Sequence, residues 1–383
     1  MDGKVNEYLP DYPKVTGDKI SINQLLTHTA GLRGDVTDFP RNSNNFPDYV
    51  AKINAGFTST DELVKRISEP DLAFEPGTKF SYSNNGYILL GAIIEKVAGK
   101  PYEKVLDEQI LTPLKMKNTG LAYKAPVLNK RADGYDRSFY GYQNAADILV
   151  AANGGMYSTV GDLFLMDEAL YTDKLLSQKS KDLMFRVTPY VVAYGWKVKN
   201  SAGGASGTVI ETDGSLPGFN SLMVRLVDGR QTIILLTNVR EITYRLSDIS
   251  LGLTNILNSK PYDLPKRSIA EALFSAVRQK GIEAALSQYR VLSRDKTYYL
   301  SESEFNSIGY LLKDRENKIK EAIEIFKLNT EANPQSSNAY DSLGEAYMLN
   351  GDKELAITNY QKSVELNPQN TNGVEMLRKL RSQ

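Results

Sequence analysis

From Tyr340 onward, small and large side chains recur at spacings that only a pair of packed helices can use. Tyr340, Leu343, Gly344 and Tyr347 follow three- and four-residue steps, and Ala356, Tyr360 and Pro368 follow after a break. Gly344 and Ala356 let two antiparallel helices approach, and the larger residues fill the groove between them. A weaker preceding copy shows Gly309, Ala322, Phe326 and Pro334, its first helix offset by one residue from its second. Val374 and Leu377 begin a last helix that would cap the stack. Such units usually need about three copies to stand alone. This short array is therefore expected to lean on residues 259–300, a charged helical connector that opens with SKPYDLPKRS.

Residues 1–258 read differently, with helix and strand signals in alternation. Ser59 and Glu62 stand at capping-box spacing ahead of one helix. Ile88, Leu89, Ala92, Ile93 and Val97 give a helical stripe from Asn84 to Val97, stopped by Gly99, with Pro101 opening the next helix. Thr159-x-x-Asp162 caps a helix from Leu163 to Leu170. The segments 195–200, 207–212, 220–227 and 231–238 read as strands separated by Gly, Asn and Asp turns, with Asp228-Gly229 a hairpin signal. Leu246–Leu257 reads as a helix closing this part.

Bulk composition narrows the function classes. Among 383 residues, Lys+Arg and Asp+Glu both total 46, so no net charge draws the chain to nucleic acid or an anionic membrane. There is no cysteine, which excludes disulfides and thiol catalysis. There is one histidine, His28, so zinc sites built on several imidazoles are not expected, nor any metal or other cofactor. No apolar run is long enough to span a bilayer. The first residues carry no export signal.

Four strings then stand in a telling order: ISINQLLTHTAGL at 20–32, FEPGTKFSYSNNGYILLGAIIEKVAG at 74–99, NGGMYSTVGDL at 153–163 and DGSLPGFNS at 213–221. Together they resemble the serine β-lactamase and penicillin-binding-protein-like hydrolases, the branch that includes class C β-lactamases and related esterases. The spacing from Tyr340 to Pro368 resembles the tetratricopeptide repeat. The resemblance implies an α+β fold: a β-lactamase/transpeptidase-like domain over residues 1–258, made of a helical subdomain and an antiparallel sheet with helices. The 259–300 connector follows, then an all-α tetratricopeptide-repeat domain over 301–383. It also implies an acyl-serine mechanism on an ester, amide or β-lactam, a small-molecule or peptide substrate, and a bacterial, periplasmic or cell-envelope setting. A protein or peptide partner would bind through the repeats.

By the same resemblance, Tyr82 is the phenol that helps shuttle the proton and Asn84 the amide that contacts lysine and substrate. The strand element, a Lys or His, a small residue and then Gly, falls on Thr212, Asp213 and Gly214, and the Ser215 N–H would be an oxyanion donor. Each has a plainer reading as well. Tyr82 is one of 23 tyrosines, Asn84 caps a helix, and Asp213 is a hairpin residue pointing outward. His28 and Asn153-Gly154-Gly155 read as structural. If Asp213 does face the pocket, it would repel a substrate carboxylate at ~4 Å by roughly 1–4 kcal/mol, which favours esters or amine-bearing substrates.

The family's Ser-x-x-Lys nucleophile motif lies ahead of the LLTH-like string. Here that string is preceded only by Met1-Asp2-Gly3-Lys4 and EYLPDYP, the stretch that follows the motif in such proteins. The sole Ser-x-x-Lys, Ser293-Arg294-Asp295-Lys296, is far from the family position. The expectation is a chain lacking its nucleophile region and inactive as written, since losing such a serine costs on the order of 10⁶-fold in turnover. The alternative is a non-catalytic pseudoenzyme acting through its repeats, which the altered Thr212-Asp213-Gly214 triplet favours.

Overall fold

The computed structural model describes residues 1–33, 59–68, 71–122, 131–138, 141–144, 152–189, 192–200, 207–240 and 245–382. The chain forms two compact units. The first comprises Met1–Ser138, Tyr142–Ile242 and Leu246–Tyr262, and the second Phe139–Gly141, Thr243–Arg245 and Asp263–Gln383. Among the described residues no helix is long and apolar enough to cross a membrane.

The main helices of the first unit are α1 (Ile22–Leu26), α2 (Thr60–Arg66), α3 (Asn84–Ala98), α4 (Val160–Leu170) and α5 (Leu246–Leu257). Their starts are chemically marked. Ser21 accepts from Gln24 N–H while the Gln24 side chain accepts from Ser21 N–H, a full capping box. Ser59 and Thr159 accept from Glu62 and Asp162 N–H at 3.2 Å each. At α3 the cap is Ser83, not Asn84: Ser83 Oγ accepts from Gly86 N–H, and Asn84 is the first helical residue. Gly99 ends α3 at φ 64°, a left-handed conformation that glycine adopts at no steric cost. The α3 stripe Ile88, Leu89 and Ile93 is buried with Val5, Ile20 and Leu25. Each such side chain contributes about 1.5–3 kcal/mol when fully buried.

Four strands, β1 (Lys197–Asn200), β2 (Thr208–Leu216), β3 (Phe219–Leu226) and β4 (Gln231–Thr237), make an antiparallel sheet in sequential order. The β2–β3 register runs from Val209 opposite Leu226 to Leu216 opposite Phe219. On β3, Leu222 to Leu226 are all buried, so both faces of that strand are covered. One face meets Leu246 of α5 through Leu222, Val224 and Ile233. The other carries Arg225, whose Nε donates to Asp167 of α4, and Thr232 Oγ1 donates to the same carboxylate at 2.5 Å. Arg225 is also stacked over Tyr171.

The second unit holds α6 (Ile269–Lys280), α7 (Ile282–Leu292), α8 (Glu302–Tyr310), α9 (Ile319–Ala332), α10 (Ser337–Asn350), α11 (Lys353–Leu366) and α12 (Thr371–Ser382). A Cβ on Gly344 would stand 3.1 Å from the Tyr360 ring, and one on Gly309 would stand 2.4 Å from Phe326, so both glycines mark close helix approaches. The helices before the repeats share their core: Leu273 and Phe274 of α6 are buried with Phe305, Ile308, Phe326 and Tyr347. Arg267–Ser268 and Tyr298–Tyr299 add a short parallel strand pair.

Candidate active site

The FSYSNN string turns into α3 at Ser83, and this bend sets the first corner of the site. Tyr82 is 63% exposed, and its hydroxyl donates to Asn84 Oδ1 at 3.1 Å. The two residues singled out by the Tyr-x-Asn pattern are therefore hydrogen-bonded to one another at the head of α3. The residue between them is held from behind. Ser83 N–H donates to His28 Nδ1 at 3.2 Å, and Ser81 N–H to the His28 carbonyl at 2.9 Å. The imidazole lies against Tyr82 at 4.5 Å between ring centroids, stacks on Tyr87 at 5.0 Å, and meets Phe80 edge-on at 6.0 Å.

Tyr87 joins this corner to other parts of the unit. Its hydroxyl donates to Leu26 O at 3.0 Å, at the end of α1. It also takes a hydrogen bond from the Gly195 backbone. Burial, the neighbouring Tyr82 and, in the opposite sense, the Gly195 N–H together push the Tyr87 phenol up to about 12. Gly195 O in turn accepts from Thr212 Oγ1 at 3.1 Å. Beside it, Tyr194 OH donates to Asn23 Oδ1 at 2.7 Å. A continuous set of contacts thus runs from Tyr82 through His28, Tyr87 and Gly195 to Thr212. Tyr87, Gly195, Tyr194 and Asn23 were not legible as site-building residues, because nothing in their local sequence marks pairings across so many residues.

Thr212, Asp213, Gly214 and Ser215 all lie within β2. Asp213 is not a turn residue; the turn comes after Leu216, with Gly218 at φ 79°. Strand alternation puts Thr212 and Gly214 on one face and Asp213 on the other. Asp213 lies opposite Leu222, on the same sheet face but exposed, and is paired with Lys197 Nζ of β1. Glu211 is likewise paired with Lys199, at 2.6 Å. The repulsion expected if Asp213 faced the pocket does not follow from this geometry, because its carboxylate is ion-paired with Lys197 and turned from the Thr212 face. Gly214 lies close to β3: a Cβ there would stand 2.8 Å from Ser221 Oγ. β1 pairs with β2 only from Thr208 to Glu211, so the Thr212–Leu216 stretch runs past the end of β1.

The Asn153-Gly154-Gly155 turn flanks α3. A Cβ on Gly91 would stand 2.4 Å from Ala152 Cβ, and Asn153 Oδ1 is buried without a hydrogen-bond partner among the described residues. Ser293 and Lys296 are both exposed, in a turn after α7 of the second unit, so they do not share a helical face.

The Beta-lactamase family model matches residues 1–250, and the tetratricopeptide repeat model matches residues 337–370. Penicillin-binding protein 4* of Bacillus subtilis (strain 168) is 29% identical over 295 residues, covering 70% of this chain and 61% of that protein. The D-alanyl-D-alanine-carboxypeptidase/endopeptidase AmpH of Escherichia coli (strain K12) is 28% identical over 189 residues, 47% of this chain and 46% of that protein. The chain thus spans only part of the length of these relatives. Among solved structures, a D-stereospecific amidohydrolase from Streptomyces sp. has a TM-score of 0.53 at 25% identity, covering 62% of this chain and 74% of that one. An octameric penicillin-binding protein homologue from Pyrococcus abyssi shares the fold, with a TM-score of 0.57 at 22% identity over 68% of this chain and 60% of that one. The family match takes in α1 to α4 and the whole sheet, and the chain belongs to the Beta-lactamase family, with a tetratricopeptide repeat after it.

Proposed function

We propose that this chain carries two walls of a serine acyl-transfer site and serves an amide-, ester- or β-lactam-hydrolysing protein. The observation that supports this reading best is the Tyr82 hydroxyl, exposed and held on Asn84 at the head of a buried helix. A phenol so placed can pass a proton between a serine nucleophile and a leaving group. Its unperturbed pKa is ~10, so it needs a neighbouring cation to act as a base. In the proposed site that cation is the lysine of a Ser-x-x-Lys helix, one turn from the serine. Ser293–Lys296 does not fit that role, being in an exposed turn. Residues 1–383 alone are accordingly expected to be catalytically silent. Thr212 and Gly214 would edge the substrate, and the Ser215 N–H would donate to the oxyanion. Relatives named for penicillin binding, D-alanyl-D-alanine carboxypeptidase activity and D-stereospecific amidohydrolysis favour an amide with a D-configured residue as substrate. We place this action at the cell envelope, with the second unit binding a protein or peptide partner.

The departure at Thr212-Asp213-Gly214 favours a second reading, a non-catalytic protein that acts through the repeat unit. Covalent labelling separates the two. A fluorescent penicillin and a fluorescent fluorophosphonate are applied to this chain and to a form extended upstream to an in-frame Ser-x-x-Lys. Labelling of the extended form alone supports the hydrolase reading, and fluorophosphonate labelling without penicillin labelling turns the substrate class towards esters. A folded extended form that takes neither probe overturns it.

A further inference from the structure

His28 is the only histidine in the chain, and the proposed chemistry gives it no step. Its surroundings are nonetheless specific. The residue is held at φ 55°, in the left-handed region that a non-glycine residue seldom occupies. Its carbonyl and its ring nitrogen both accept from the FSYSNN string, from Ser81 N–H at 2.9 Å and Ser83 N–H at 3.2 Å. These two bonds bracket Tyr82. The ring then lies against the Tyr82 phenol itself at 4.5 Å, with Tyr87 stacked at 5.0 Å.

We propose that His28 is a positioning residue for Tyr82. Its Nδ1 anchors the Ser83 amide and its ring backs the phenol, so the imidazole sets where the Tyr82 hydroxyl stands over Asn84. The proposal rests on the reading of Tyr82 as a site residue, but its geometry can be tested without hydrolysis. An Nδ1 that accepts a backbone N–H must be unprotonated, so the neutral ring carries its proton on Nε2. Protonation would turn Nδ1 into a donor facing another donor. The Ser83 bond would be lost, and a cation would stand against the phenol. Among the described residues, the titratable groups packed on the imidazole include the phenols of Tyr82 and Tyr87.

The test uses the full chain and NMR. With a single histidine, long-range nitrogen–proton correlations report one imidazole, and ring-carbon-labelled tyrosine reports Tyr82, assigned with Tyr82→Phe. The expected result is one Nε2–H tautomer at neutral pH, with the Tyr82 signal shifting at the same midpoint as imidazole protonation. His28→Phe keeps a ring but removes the acceptor, so the Ser83 amide signal should lose its hydrogen-bonded position and Tyr82 its pH-dependent shift. His28→Asn places an acceptor near Nδ1 and suits positive φ, so it should restore the Ser83 signal. An Nδ1–H tautomer overturns the proposal. So does a Tyr82 signal that ignores the imidazole midpoint in a folded protein. Failure of covalent labelling would instead strike the hydrolase reading and leave these spectra unchanged.

Discussion

Tyr82 is an exposed residue whose hydroxyl donates to Asn84, so removing that hydroxyl tests chemistry with little effect on folding. In a form that bears the nucleophile, Tyr82→Phe should lower kcat/KM by about 10²–10⁴-fold, the usual contribution of a positioned proton-transfer group. Stability should stay within about 0.5 kcal/mol, as for exposed substitutions generally. Steady-state kinetics alongside a urea melt checks both, and unchanged kcat/KM would remove Tyr82 from the mechanism. Tyr87 behaves in the opposite way because it is largely buried. Its phenol is pushed up to about 12 from 10.0, so between those values the folded state holds a proton that the unfolded state has lost. Stability from this group is fully present below about pH 10 and is lost as pH rises through about 12, to the extent of about 2–3 kcal/mol. Tyr87→Phe cannot ionise at this position. The urea midpoint of the wild type should therefore fall relative to the variant across that window; a constant difference would contradict the burial of the phenol.

Asp167 of α4 and Arg225 of β3 are each 2% exposed at the side chain and pin the helix to the sheet. Asp167→Ala would leave a guanidinium buried without its partner, at a cost of about 3–5 kcal/mol. The pair itself is weak evidence for stability, since two charges must first be taken out of water. Asp167→Ala combined with Arg225→Met should therefore recover most of the loss, and urea melts of the single and double variants measure it. A double variant as unstable as the single one would mean that packing, not charge, dominates this contact. Neither partner was legible in the sequence. Asp167 reads as an ordinary position inside a helix, and Arg225 as the polar interruption of an otherwise apolar strand. What was legible is local. Gly99 and Thr159 end and start helices as their chemistry requires, and four strands lie close to their apolar runs. Tyr82 and Asn84 could be found because they are two residues apart. The Lys197 partner of Asp213 could not, because that pairing depends on the β1–β2 register, and nothing in the composition of either strand specifies it.

Each unit of the whole molecule has its own core. One set of buried residues runs from Ile269 to Leu380, and the clusters around α3 and the sheet lie wholly within the first unit. Within the 259–300 stretch, on which the repeats were expected to lean, α6 is part of the second core: Leu273 is 0% and Phe274 1% exposed. A boundary drawn by burial therefore falls ahead of α6, in the PYDLPK stretch, where Leu264 is 78% and Tyr262 53% exposed. No helix or ladder hydrogen bond protects this backbone, and a protease needs an extended, accessible segment. Limited chymotrypsin digestion should thus cut first after Tyr262, since Pro265 blocks the bond after Leu264, giving a fragment that begins just before α6 and resists further cleavage. Mass spectrometry of the early fragments decides the point. A first stable fragment beginning after α7, near the exposed Ser293–Lys296 turn, would mean that α6 and α7 are dispensable to the repeats. The burial of Phe274 among Phe305 and Phe326 argues that they are not: two repeat hairpins with one capping helix expose an apolar flank, and α6 is what covers it.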